Sequence, residues 1–463
     1  MMKLNIRHSK ASGRPRRVIP GFVVLALLLA AIPAFSGPLS ANGRGAVPPM
    51  ATVDDWHLIE FEGQLWAIED NPSGKYRLKN DLDLGGYGYW RPIGRKQNAL
   101  IPFNGQFDGG GFTIRNLPIT DDELDNAGFF AQIDSAGLVE NLAFENADIK
   151  GRENVGILTG ACRGTIRNVT VGGAVYGAQY AGGLVGLLDG GTVETSFSKA
   201  DVEGGDRLGG LVGLSRNGEI RRSRASGEVS TTGDFDRPGA AGIGGLAGQA
   251  IEYVLISECF ATGDVSGNYG ASAGGLIGSV SSQGFNSNVS DCFAVGSVRG
   301  TKVGGLVGWT NSPAVISRCF AAGSVTGPYY QTTGGIVGQL SIYTELITCY
   351  YDRETTGVNR LTGDGIPKST AEMESIGTYE GWSMSKYSPQ PDDEFADFYY
   401  PLLRFVLDDG TAGAQSATTW VLNERNPPLP LPDPRSGSSS GCSAGSPSAL
   451  FLLLLAPLLL VRK

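Results

Sequence analysis

Through the middle of the chain, hydrophobic and polar residues alternate in short recurring bursts, and no stretch there keeps a helical period. In CFATGDV (259–265), Cys259, Ala261, Gly263 and Val265 fall on one side, and Phe260, Thr262 and Asp264 on the other. The same phase returns in SFSKADV (196–202), SRASGEV (223–229), CFAVGSV (292–298) and CFAAGSV (319–325). Period-two alternation marks a half-buried strand. Ahead of the bursts stands GGLVG (182–186, 209–213, 304–308) or a variant: GGLAG (244–248), GGLIG (274–278), GGIVG (334–338), and a degraded VGILT (155–159). An aliphatic residue follows each: Ile166, Val193, Ile220, Ile256, Val289, Ile316, Leu346. Three positions on comes a small one: Val169, Ser196, Ser223, Cys259, Cys292, Cys319, Cys349. That last series is spaced by 27, 27, 36, 33, 27 and 30 residues, so 27 is the base period.

Such a period, with three short strands and three corners, makes one coil of an all-β, right-handed parallel β-solenoid of roughly ten coils stacked at about 4.8 Å. The parity break between Ile256 and Cys259 places a corner there. Glycine is expected to supply corners that need φ > 0 and to let coils pack closely. The small inward column implies a thin, flattened core. A solenoid needs covered ends. Residues 56–75, apolar at roughly helical spacing over 56–71, are the expected N-terminal cap, with a turn at Asn71-Pro72-Ser73-Gly74. Residues 76–352 form the solenoid, and the aromatic-rich stretch 353–406 forms the C-terminal cap.

Composition narrows the chemistry. Glycine accounts for 69 of 463 residues, without the Gly-X-Y period of collagen. The only histidines are His8 and His57, too few for a multi-imidazole metal site, and a Ser-His-Asp triad would rest on His57 alone. The net charge of -9, with no basic stripe, argues against nucleic acid. No cofactor is implied.

Both ends look like targeting signals. Residues 1–36 read as a signal peptide: six basic residues, an apolar core from Phe22 to Ile32, and cleavage after Ser36. A linker (37–55) follows. At the other end, 407–441 is a Pro/Gly/Ser-rich linker and 442–463 an anchor tail: Cys442, an apolar run from Ala449 to Val461, then Arg462-Lys463. That run is short for a membrane span. SGCSAG, an apolar helix and RK resemble the Synerg-CTERM and MYXO-CTERM sorting tails. The resemblance implies processing and anchoring at Cys442, with export machinery and a C-terminal sorting protease as partners and membrane contact through the tail.

The repeat itself carries a second resemblance. GGLVG followed by G-x-I-x-x-(C/S)-(F/Y)-A-x-G-x-V is similar to the GLUG repeat of bacterial surface proteins, found in large adhesin-like proteins and some secreted immunoglobulin A peptidases. LKNDLDL (78–84), WRPIG (90–94) and FNGQFDGGGFTIRNL (103–117) look like the opening coils of such proteins. CYYDRETTG (349–357), Gly381-Trp382 and YPLLRF (400–405) look like the closing segment. The likeness spans roughly 56–406, departing at Arg224, which replaces an aromatic, and at two lengthened coils. It implies an exported, surface-displayed protein with an adhesive or structural role. The peptidase activity needs HExxH, which this chain lacks.

Candidate sites are few. An outer column of Phe197, Phe260, Phe293, Phe320 and Tyr350, with Thr170 and Arg224 in register, either binds a glycan or protein surface of a host or matrix, or only stabilises the solenoid, its rings stacking on one another or tucking under the 233–242 and 266–273 loops. Cys259, Cys292, Cys319 and Cys349 fit a buried ladder of free thiols better than disulfides or a metal site, and Cys162 has no expected partner. Asp81, Asp83, Asp108, Arg91 and Arg95 are the candidates for an alternative function, a polysaccharide-active β-helix enzyme (lyase or glycosidase), although turn geometry explains the aspartates. Asp364, Asp392, Asp393 and Glu394 have oxygen ligands for calcium but match no calcium-loop spacing.

Overall fold

The computed structural model describes residues 50–96, 99–232, 242–281, 286–359, 364–386, 399–403 and 420–423. The signal-peptide region with Ser36, most of the 37–55 linker, Asp392, Asp393, Glu394, and the tail with Cys442 lie outside the described residues. The described chain winds into a parallel β-solenoid of about nine turns. Among the described residues, no helix is long and apolar enough to cross a membrane.

One coil shows the plan. Strands Leu255–Ser257, Phe260–Ala261, Val265–Ser266, Ser272–Gly274 and Ile277–Ser281 follow one another, so the coil has five short segments where the sequence pattern predicts three. Each pairs in register with the next coil: Ile256 with Val289, Phe260 with Phe293, Val265 with Val298, Ala273 with Val303, Ile277 with Val307. The last of these segments stacks into a separate eight-stranded sheet running from Phe130–Ile133 to Val337–Gln339.

The repeat glycines serve close approach rather than left-handed corners. None of the GGLVG-type pairs has positive φ. A Cβ on Gly305 would lie 2.3 Å from the Gly335 carbonyl oxygen and 2.8 Å from the Ala321 Cβ. Gly245 and Gly275 meet Ala261 and Ala294 at the same 2.8 Å. In the first five exact or near-exact copies the second glycine thus faces a small residue, Ser198 or an alanine, across a flattened core, as the small inward column predicts, whereas in the last copy Gly335 makes room for the Tyr351 ring. The opening coils are thicker, with Phe103, Phe107, Phe129, Phe130 and Phe144 filling the interior.

The corner ahead of the small column is left-handed, and non-glycine residues hold it. Asn141, Asn168, Thr195, Arg222, Glu258, Asp291, Arg318 and Thr348 all have φ between 47° and 55°. Asparagine tolerates this region best, and the first copies tie together through their side chains: Asn168 donates to Asn141 at 2.9 Å and Asn141 to Asp108 at 3.1 Å. Later copies carry ion pairs instead, Arg222 with Glu258 and Arg318 with Asp291. At the asparagine, Arg222–Glu258 and Asp291–Arg318 corners the strain is offset by a side-chain contact to a neighbouring coil.

The ends differ from expectation. Trp56–Ile59 is not helical; it pairs in parallel with Lys75–Leu78, so the stack begins before residue 76. Ala51–Val53 folds back antiparallel across it and closes the edge. Only Glu62–Glu69 is helical, as a 3₁₀ turn that buries Leu65 and Ile68, with Trp66 stacked 4.3 Å from Trp90.

At the other end Asp364 substitutes for a missing coil. Inside the stack, Leu306 and Val307 amides donate to the Ile336 carbonyl of the following turn. The final turn has no such neighbour. The buried Asp364 carboxylate accepts instead from the amides of Gly335, Ile336 (3.2 Å) and Val337 (2.8 Å). This explains Asp364 without calcium. Ile366–Lys368 extends the stack on Tyr350–Asp352. A small sheet then forms from Met384–Lys386, Leu402–Leu403 and Trp420–Leu422, the last within the expected 407–441 linker.

Candidate functional site

The aromatic column is a stack, and it is covered. Phe260 and Phe293 lie 4.6 Å apart and Phe293 and Phe320 4.9 Å apart, both nearly parallel. Trp420 packs 6.1 Å and 6.0 Å from Phe293 and Phe320, and Trp382 and Tyr379 close over Tyr350. Phe260, Phe293, Phe320 and Tyr350 are at most 5% exposed, so they do not form an outer ligand face. The cover is not the 266–273 loop; it is the C-terminal sheet, whose Leu402, Leu403, Trp420 and Val421 share one apolar cluster with the rings. The Trp420 indole N–H donates to Asp291, which also binds Arg318. Only Phe197 keeps a partly open face, with the Arg224 guanidinium 4.1 Å and the Lys199 ammonium 5.2 Å from its ring centre.

The candidate carboxylates hold turns and ladders together. Asp108 bonds Arg77 at 2.9 Å and the Gly110 amide at 2.9 Å. Asp81 accepts from the Thr113 amide and Arg115, which hold its carboxyl below the usual range; the Asn116 amide and the Gly85 N–H do the same for Asp83. A general acid needs the opposite shift. Arg91 is bidentate on Glu69, and Arg95 donates to the Asp125 carbonyl. These five residues form separate structural contacts rather than one cluster.

The cysteines lock corners. Cys162, Cys259, Cys292, Cys319 and Cys349 are free and buried. The thiols of Cys259, Cys292 and Cys319 donate back to the carbonyls of Ser257, Ser290 and Ser317 at 3.1, 3.0 and 3.2 Å. Serine does the same in earlier coils: Ser196 to Glu194 at 2.9 Å and Ser223 to Arg221 at 2.8 Å. Each bond spans the left-handed residue, which is why a small donor recurs there. Burial pushes the Cys162 thiol up to about 12 and Cys292 well above its usual value. Held protonated in this way, Cys162 and Cys292 are poor nucleophiles.

Two exposed features were not singled out from the sequence. At the N-terminal end, Thr52, Asp54, Asp55, His57, Asn71, Ser73, Gly74 and Lys75 line an open polar cleft of about 630 Å³. His57 stacks 5.2 Å from Tyr76. On the last coils, Tyr269, Tyr329 and Tyr330 are 71%, 45% and 68% exposed, and the Tyr269 and Tyr329 hydroxyls are 3.4 Å apart. That contact raises the Tyr329 phenol above its ordinary value. These tyrosines sit in loops outside the repeating positions, so the 27-residue alignment carries no signal for them.

No family model matches the chain. Over 161 residues it is 34% identical to halomucin of Haloquadratum walsbyi, covering 32% of this chain and 2% of that protein. Over 229 residues it is 29% identical to an immunoglobulin A1 protease of Streptococcus sanguinis, covering 45% of this chain and 11% of the protease. The chain thus spans only a small part of the curated relatives it matches. A Bacteroides ovatus crystal structure described as a candidate immunoglobulin A1 protease aligns with a TM-score of 0.37 at 19% identity, over 68% of this chain and 84% of that one. An IgA1 protease structure aligns with a TM-score of 0.43 at 20% identity, over 66% of this chain and 24% of its own.

Proposed function

We propose that this chain is an exported bacterial envelope protein of the GLUG-repeat kind whose solenoid is displayed at the cell surface for adhesion or as a structural coat. The observation that carries this is the state of the ionisable groups: the candidate carboxylates and arginines are tied individually into turns and coil-to-coil ion pairs. That arrangement ties turns and neighbouring coils together and brings these five candidates into no common reaction centre among the described residues. Similarity to short segments of halomucin and an immunoglobulin A1 protease is compatible with a display module that recurs in larger proteins. The protease activity named for one relative does not transfer with the segment. In this scheme export machinery delivers the chain, and a sorting protease processes the tail at Cys442, where membrane contact is made. The partner is a host or matrix glycan or protein.

A binding array of glycans and matrix proteins, probed with the full chain and run beside cleavage assays on polysaccharides, tests this. Saturable binding without release of new reducing or unsaturated ends is expected. Turnover of any polysaccharide would sink the non-catalytic assignment.

A further inference from the structure

Resting on that surface role, we propose that the corner carrying Tyr269, Tyr329 and Tyr330 is a binding site for an acidic glycan, one whose sugars bear carboxylate or sulfate groups. Register places the parts together. Ser266, Arg299 and Thr326 stand in one column, and Ser272 and Lys302 pair in the next, so three loops stack at this corner. The outer loops bring the tyrosines. The middle one is only Gly300-Thr301, flanked by Arg299 and Lys302, and the Tyr269 and Tyr329 hydroxyls reach across it to 3.4 Å. The loops of Tyr269 and Tyr329 are two coils apart, roughly 10 Å at about 4.8 Å per coil, and the two side chains lean together so that their hydroxyls meet over the middle loop.

The charge commits the ligand. Arg77, Arg91, Arg115, Arg152, Arg163 and Arg167 each hold a carboxylate. Arg299 is exposed and has no ion pair among the described residues. Lys302 rests on the Trp309 ring at 3.8 Å, also without a carboxylate among the described residues. Between Ser266 and Thr333 the chain has one carboxylate, Asp291, and Arg318 neutralises it. In a protein of net charge -9, residues 266–333 thus carry Arg299 and Lys302 at this corner with no carboxylate of their own left to neutralise them. Exposed tyrosine rings offer apolar faces to the C–H side of a pyranose and hydroxyls to its edge. Unpaired cations beside them select an anionic sugar over a neutral one. Among the described residues, the exposed large hydrophobics at this corner are the tyrosines, with no exposed large aliphatic side chain to favour a lipid surface.

The test uses the full chain against immobilised chondroitin sulfate and alginate, representing host and bacterial acidic glycans, with dextran and phosphatidylglycerol vesicles as comparison arms. Two variants, Tyr269→Ser with Tyr330→Ser and Arg299→Ser with Lys302→Ser, change exposed or half-exposed residues and are expected to keep the wild-type melting temperature. Binding to either acidic glycan, weakened at least tenfold by each variant and by added salt, is the expected result. Unchanged binding by both folded variants overturns the site while leaving a surface-binding role standing. Equal binding to dextran, or binding to vesicles alone, overturns the ligand class. Failure on all these probes with binding to a matrix protein overturns the glycan proposal but not the surface role; no binding to anything counts against both.

Discussion

At the residue scale, this fold depends on where a side chain is absent. Gly305 has carbonyl and Cβ neighbours where its own Cβ would be, whereas Gly172 has nothing nearer than 3.8 Å and no positive φ. Gly305→Ala should therefore cost about 3 kcal/mol or more through backbone displacement, and Gly172→Ala less than about 0.5 kcal/mol. Urea denaturation of the two variants decides this, and equal losses would show that the core is less tight than described. The thiols make a pH prediction. Cys162 titrates near 12 when folded, against 9.0 for an ordinary thiol. Between those values the unfolded chain binds fewer protons, so stability falls as pH rises from about 9 to about 12, by roughly 1.4 kcal/mol per unit for this group. Cys162→Ala should reduce that slope by about the same amount in denaturation curves taken at stepped pH.

At the scale of elements, the two ends of the stack use different devices. An antiparallel strand closes the N-terminal edge, whereas a single carboxylate, Asp364, receives the amides that the last turn would otherwise leave unpaired. The C-terminal sheet does another job: it covers the phenylalanine stack along the side of the coils. Trp420 is its main contact, 1% exposed against Phe293, Phe320 and Trp382. Trp420→Ala should lower stability by about 3–5 kcal/mol. It should also raise binding of a fluorescent apolar dye, because the uncovered rings face solvent. A variant of unchanged stability that binds no dye would mean the rings are protected by their own stacking.

At the scale of the molecule, a solenoid is nearly one-dimensional: each coil contacts its neighbours, and ladders repeat residue by residue. Leu184 and Leu211, and Val185 and Val212, occupy equivalent positions 27 residues apart. A tandem duplication of residues 183–209 should therefore fold, adding one coil and about 4.8 Å to the long dimension. Small-angle scattering with circular dichroism measures both; aggregation, or loss of strand signal per residue, would show that the ends and the middle are not separable. The same regularity is the reason the proposed binding corner lies in departures from the repeat. Paired ladder positions are already satisfied, and the loops between them are free to carry exposed rings and unpaired cations.

The sequence alone determined the coil. The GGLVG period, the alternation after it, and the parity break before Cys259 reflect contacts to the next copy of the same position, so the pattern repeats wherever the contact does. It also indicated the thin core and the free-thiol column, since both follow from side-chain size within a ladder. Only the tertiary structure decided what covers the phenylalanines, because Trp420 reaches Phe293 from a distant, polar stretch that reads as linker. It decided the role of Asp364 in the same way, through bonds to Gly335, Ile336 and Val337 that no local spacing encodes. The tyrosine corner also depended on it: Tyr269 and Tyr329 meet only because the stack places their loops two coils apart over Gly300-Thr301.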